Sequence, residues 1–166
     1  MELKAHGGGW GAQGFWALVV YRFDRWRHNM RATLLRKFYS LIYKILNKLI
    51  QIVTVIELPC EVEIGYNFTI DHFGGIVIIS YATFGDDFRI RNGVVVGLKR
   101  VDEPCAPQIG HNVDIGAGAK ILGAITIGNN VAIGANAVVT QNVPHNSIAV
   151  GVLAVIKPRQ PEGTPQ

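Results

Sequence analysis

From Ile109 onward an aliphatic residue recurs every six positions, at Ile109, Ile115, Ile121, Ile127, Ile133 and Val139. Glycine follows at Gly110, Gly116, Gly128 and Gly134, and the fifth place of each unit is small or aliphatic: Val113, Ala119, Ile125, Val131, Ala137 and Val143. A strict period sustained over six units marks an internal repeat. One inward aliphatic per unit, followed by a bend that excludes a clashing Cβ, predicts a short strand and a corner. Three such sides close a triangular coil of about 18 residues, and coils stack at strand spacing, roughly 4.8 Å. The inward aliphatics then form one continuous core, the signature of a solenoid.

The same register runs upstream with interruptions. Leu58, Ile64 and Ile70 are six apart; Ile78, Phe84, Ile90 and Val96 resume after a two-residue slip around Gly74-Gly75. The next step, from Val96 to Ile109, overshoots by one the two whole units that would keep phase. Leu98 to Gln108 therefore reads as a loop thrown out of the solenoid. Breaks in a regular scaffold are where function tends to sit.

Residues 14–53 follow a different period. Phe15, Trp16, Leu18, Val19, Phe23 and Trp26 share one helical face. After a break near Asn29, a second helix places Leu34, Leu35, Phe38, Leu41, Ile42, Ile45, Leu49 and Ile52 at helical spacing. The expected organisation is a flexible N-terminus (1–13), an α-helical cap (14–56), a β-solenoid (57–152) and a C-terminal tail (153–166).

Charge divides the chain at the same boundary. The helical segment carries eight basic residues against Asp24 alone, a net +7, whereas residues 57–166 are −3. Two readings of the basic head follow: helices that cap the open end of the solenoid with their cations solvated, or a platform for a membrane surface or an anionic substrate. No apolar run reaches the roughly 20 residues of a membrane-spanning helix, and the start shows a glycine run instead of a signal-peptide core. A cytoplasmic setting is expected, with peripheral contact at the inner face of the membrane as the further option. Cys60 and Cys105 fit neither a disulfide framework nor a zinc site. No histidine pair has a metal-ligand spacing, so no metal is expected. An acidic body excludes a nucleic-acid module.

The repeat, together with Glu57 to Val77 (ELPCEVEIGYNFTIDHFGGIV), resembles the serine acetyltransferase family, and Ile115 to Gly123 (IGAGAKILG) resembles its cofactor-binding coil. The resemblance covers roughly residues 56–152. It implies a left-handed parallel β-helix, a homotrimer, and direct transfer of acetyl from acetyl-CoA to a hydroxyl. It also implies His72 as catalytic base, Asp71 as an acceptor contact, and Ala117 and Ala135 as the coil positions that meet CoA. Four departures stand out. The helical N-terminal domain is short. The family's catalytic aspartate aligns with Glu57. Its acceptor-loop Arg-His pair aligns with Cys105-Ala106, and a Gly-x-Pro-Ala-Arg/Lys near the end reads Gly151-Val152-Leu153-Ala154-Val155.

The chemistry supports the same residues. O-acylation needs a base for the hydroxyl proton, and an imidazole with an ordinary pKa of about 6.5 suits neutral pH. A carboxylate on its other nitrogen fixes the tautomer. Glu57 precedes His72 by slightly less than a full coil, so it falls one layer away and around the corner. Asn92 and Gln108 are neutral candidates for acceptor hydroxyls, and Lys157 and Arg159 are candidates for CoA phosphates. Without the cationic pair, the leading acceptor is a sugar hydroxyl of a surface-polysaccharide precursor. L-serine is the alternative, its carboxylate met by Arg89, Arg91, Lys99 or Arg100. A non-catalytic trimeric scaffold is the remaining class.

Overall fold

The computed structural model describes residues 13–28, 30, 32–72, 74–100, 102 and 105–159. The expected flexible stretch up to residue 12 and the last residues of the tail lie outside them. Two helices, α1 (Gln13–His28) and α2 (Thr33–Thr54), precede fifteen short strands that run from β1 (Ile56–Glu57) to β15 (Val155–Pro158).

The strands form a parallel β-helix with three faces. The first sheet stacks β1, β4 (Ile76–Ile78), β7 (Val95–Gly97), β10 (Lys120–Leu122) and β13 (Val138–Val139). The second stacks β2 (Glu63–Ile64), β5 (Thr83–Phe84), β8 (Gln108–Ile109) and β11 (Thr126–Ile127). The third stacks β3 (Thr69–Asp71), β6 (Arg89–Arg91), β9 (Asp114–Ile115), β12 (Ala132–Ile133) and β14 (Ser147–Val150). β15 then adds to β14 antiparallel, so part of the segment read as a tail extends this third sheet.

The periodic aliphatics are the core. Ile90, Val96, Ile115, Ile121 and Val139 are fully buried, and the fifth-place Val113, Ala119, Val131 and Ala137 lie beside them. In the first coils Phe68, Phe84 and Phe88 fill the wider interior, with ring centroids 4.7–5.5 Å apart. The glycines that follow the aliphatics are required by stacking. A Cβ on Gly116 would stand 2.5 Å from the Ala135 nitrogen, and one on Gly85 2.6 Å from the Gly110 carbonyl carbon. At the corner between the second and third sheets the left-handed turns fall instead to Asn67, Asp87, Asn112, Asn130 and Asn146, all with φ between 52° and 57°. Asparagine and aspartate tolerate that region. Their side chains also bond from coil to coil, Asn112 to Asn130 and Asn130 to Asn146.

Three interruptions differ from the sequence reading. Val96 pairs with Ile121, 25 positions on, where an uninterrupted coil gives 18, as between Val77 and Val95. The long step from Val96 to Ile109 is therefore a single side of the prism with seven further residues looped out. Val143, a fifth-place residue by period, bridges Ile127 in the leading position, so the last coil is two residues short. The third interruption lies at His72.

The helices behave unequally. α1 buries Ala17, Leu18, Val20 and Tyr21 against the first coil. The Tyr21 hydroxyl donates to the Val62 carbonyl (2.6 Å) and Arg22 donates to that of Gly65. A Cβ on Gly14 would strike Ile70, so the helix sits close on β3. α1 is thus the cap that the sequence predicts. α2 is not: Thr54 alone among its residues is buried. The side that faces α1 is mixed: Ser40 accepts from Arg27, Tyr43 lies under the Arg27 guanidinium, and Tyr39 packs edge-on against Phe23 and Trp26.

Candidate active site

One corner, where the third sheet turns into the first, gathers most of the residues singled out by sequence. Asp71 pairs with Arg91, and Ile90 with Ile115, which sets Asn92 beside Ala117 in the next coil. Ile115 pairs with Ile133, which sets Ala117 beside Ala135. Corner hydrogen bonds carry the stacking onward: Gly118 N–H donates to the Asn92 carbonyl and Asn136 N–H to that of Ala117, both 2.8 Å. Asn92, Ala117 and Ala135 therefore follow one line down the prism edge, roughly 10 Å long for two coil steps of about 4.8 Å, with Asp71 one position before it in the column of Arg91.

His72 stands at the head of that line. Gly93 N–H donates to the Gly74 carbonyl (2.8 Å), so Gly74 stays in the corner column. Asp71 is already in register with Arg91. The two extra residues of this coil thus lie between Asp71 and Gly74, and not at Gly74-Gly75. His72 is the first of them. It is exposed and adopts a left-handed φ of 61°, unusual for a residue with a Cβ. A side chain held out of a regular stack at some backbone cost is a candidate for function.

Glu57 occupies β1, in register with Val77 on β4, so it lies one coil below His72 and along the first sheet. Its side chain is exposed and borders a cavity of about 310 Å³ shared with α1 and α2 residues Asp24, His28, Tyr43 and Gln51. Glu57 and His72 make no hydrogen bond with each other among the described residues. The layer relation drawn from their spacing holds; a formed dyad is not present.

Charged groups around the corner are already engaged. Asp71 pairs with Arg89 (3.3 Å), and Arg91 makes a two-nitrogen contact with Asp114. That hydrogen bond, against the opposing effect of burial, raises the Arg91 pKa. Arg100 pairs with Asp102 on the extruded loop. Lys99 has no ion pair among the described residues. Lys120, which sequence reasoning missed, donates to the carbonyls of Gly93 (2.8 Å) and Gly118 (2.7 Å) and ties two corner turns together. Its only sequence signal is a cation within an otherwise apolar coil.

Other nominated residues lie elsewhere. Gln108 is on β8 in the second sheet, beside Thr83 and Thr126, away from the His72 corner of the same chain. Lys157 lies on β15 opposite Ile148. The Arg159 backbone bonds to Asn146, at the opposite end of the third sheet from Ala135, and its side chain borders a cavity of about 350 Å³ with Arg89 and Asp114. Register does not bring Arg159 to the alanine line, because β15 runs antiparallel and carries its end back across the sheet.

One group among the described residues, Asp24, His28 and Cys60, could offer three ligand atoms within 4.8 Å. Its chemistry opposes a metal. Arg27 already binds the Asp24 carboxylate, and burial, with a hydrogen bond to Asp24, pushes the Cys60 thiol up to about 12.

Comparison with known proteins agrees with the repeat and the fold. Residues 106–141 match the family model for bacterial transferase hexapeptides (six repeats). The chain is 40% identical over 142 residues to a serine acetyltransferase of Helicobacter pylori, covering 85% of this chain and 79% of that protein. It is 45% identical over 101 residues to a putative colanic acid biosynthesis acetyltransferase, WcaB, of Escherichia coli, covering 61% and 62%. Among solved structures, a serine acetyltransferase in complex with CoA superposes with a TM-score of 0.72 at 32% identity. That likeness covers 87% of this chain but only 57% of the other, so the chain spans less than three-fifths of that structure. Repeat, register and relatives together show that the chain belongs to the serine acetyltransferase-like family of hexapeptide-repeat O-acetyltransferases.

Proposed function

We propose that the protein transfers acetyl from acetyl-CoA to a sugar hydroxyl of a surface-polysaccharide precursor, with His72 as general base. The observation that carries this reading is the single edge line on which His72 projects above Asn92, Ala117 and Ala135. Small side chains at 117 and 135 leave the edge open for the slender thiol arm of CoA. His72 takes the acceptor's hydroxyl proton as that oxygen attacks the thioester carbon; the carbon–sulfur bond breaks and the proton passes to the departing CoA thiolate. Glu57 orients the imidazole once substrate draws the two together, since such contacts often tighten only in the complex. Residues from another side of the prism, such as Gln108, reach this edge from a neighbouring copy in a trimer.

The acceptor assignment rests on where the cations are. Arg89 and Arg91 are held by Asp71 and Asp114, and Cys105-Ala106 supplies no charge, so a free amino acid's carboxylate would meet Lys99 at best. L-serine is the second reading, favoured by the names of several relatives. CoA release from acetyl-CoA over a panel of L-serine and free, nucleotide-linked and lipid-linked sugars distinguishes them. Transfer to a sugar with little to serine is the expected result. Serine turnover with kcat/KM near 10⁴ M⁻¹s⁻¹ or above, an ordinary enzymatic value, would replace the sugar assignment.

A further inference from the structure

α2 turns its apolar side away from the protein. Leu34, Phe38, Leu41, Ile45, Leu49 and Ile52 recur at spacings of four, three, four, four and three, and all are exposed, Leu34 to 83% and Ile52 to 66%. The side facing α1 and the first coil is mixed, with Ser40, Asn47 and Gln51 half-buried beside Tyr39, Ile42, Tyr43 and Ile50. This inverts the usual arrangement, in which an amphipathic helix buries its apolar stripe against its own domain. Along one edge of the stripe run Lys37, Lys44 and Lys48, seven and four residues apart and all exposed. The helix contains no acidic residue.

We propose that this face docks on an anionic lipid membrane, with α2 lying in the interfacial plane. An apolar stripe edged by lysines has the two complements such a surface offers, acyl chains and negative headgroups. No helix of the described residues is long and apolar enough to cross a membrane, so the contact is peripheral. The charge pattern disfavours the competing occupant, a second α2 from another copy. Packed antiparallel, two such faces would bring their lysine rows together, and neither helix offers an exposed acid to pair with them. The sole acid of α1, Asp24, is buried and bound by Arg27. The proposal is independent of the acceptor: it concerns where the enzyme sits, not what it acetylates.

Flotation of the full chain with phosphatidylcholine vesicles, with and without phosphatidylglycerol, tests it. The protein should float with the anionic vesicles, and high salt should weaken the association. Replacing Lys37, Lys44 and Lys48 by Gln should lower the apparent affinity about 10²-fold, from roughly a factor of five per cation near the surface. Leu41→Glu with Ile45→Glu should abolish flotation while helix and sheet circular dichroism stay unchanged, since neither side chain is buried. Equal binding to purely zwitterionic vesicles, or no binding to anionic ones, would overturn the proposal. So would sedimentation, without lipid, in which the same double substitution dissociates an oligomer; the face would then be a subunit contact.

Discussion

Both the solenoid and the helical head are rich in apolar residues but use them in opposite directions. In the solenoid, each coil turns its aliphatics inward and the next coil seals them, so Ile115 and Ile121 have no exposure at all. In the head, α1 seals the open end of that stack, and α2, with nothing left to seal, keeps its stripe outside. A stack needs one cap at each end. Periodicity alone reports that a helix has an apolar side, but not whether its own protein is what that side meets.

The largest expected difference between the regions is catalytic. His72→Asn keeps a residue that tolerates left-handed φ and removes the base, so turnover should fall about 10²–10⁴-fold. Glu57→Gln should cost less, because it keeps a hydrogen bond and loses only the charge. Steady-state assays with the acceptor identified by the panel measure both, and His72→Asn retaining more than roughly a tenth of wild-type turnover would remove His72 from the mechanism.

Much of the fold is legible in the sequence because a hexapeptide repeat is a rigid ruler. Once Ile109 to Val139 sets the phase, every departure from it is visible. What the ruler does not do is assign the extra residues. Gly74-Gly75 reads as the slip because paired glycines suggest a bulge, yet backbone bonding keeps Gly74 in its column and pushes His72 out. The step from Val96 to Ile109 reads as nearly two sides because counting modulo six cannot tell one side with a long loop from two sides with a short one. The engagement of Arg89 and Arg91 by Asp71 and Asp114 is a cross-coil contact, and each acid lies a whole coil or more from its partner along the chain. The Asp24–Arg27–Ser40 link between the helices is equally hidden, since it depends on how α1 and α2 face each other.

Stability should divide the regions next. Ile121→Ala removes a fully buried side chain between stacked coils and should cost about 2–5 kcal/mol. Denaturant unfolding followed by circular dichroism reads this, and a loss under about 1 kcal/mol would mean that the coils close over the cavity.

Alkaline pH should then loosen the head before the solenoid. Burial raises the pKa of Tyr21 and Tyr43, and it raises Cys60 to about 12; Asp24 reinforces the shift at Tyr43 and Cys60, while Arg25 opposes it at Tyr21. These folded-state values lie above the unfolded ones. The folded head, together with Cys60 of the adjoining first coil, therefore keeps protons that the unfolded chain releases, and stability falls as pH rises from about 9 through 12. Tyr21 matters most, because its hydroxyl donates to Val62 and holds α1 on the first coil. Trp16 and Trp26 lie in α1 and Trp10 precedes it in sequence, so no tryptophan lies in the solenoid and the Trp16 and Trp26 signal follows the head. The fluorescence change should come at lower pH than the loss of β-sheet dichroism. Coincident transitions would show that the two regions unfold as one.

The smallest effect is the most informative about α2. Ile45 is as apolar as Ile121 and sits within a regular helix, but it is exposed. If its face meets only water in the isolated chain, Ile45→Ala removes no packing and gains a little helix propensity, so stability should change by no more than about 0.5 kcal/mol. The unfolding midpoint in denaturant, compared with that of Ile121→Ala under identical conditions, measures this. A loss of about 2 kcal/mol or more, of the size a buried isoleucine gives, would mean that Ile45 is covered in solution without any lipid. The head would then be a second core, shared with another copy, and the contrast between the two regions would disappear. Adding anionic vesicles separates the remaining possibilities: near-neutral Ile45→Ala without lipid, combined with weaker flotation, is the pattern that a membrane-facing side chain alone produces.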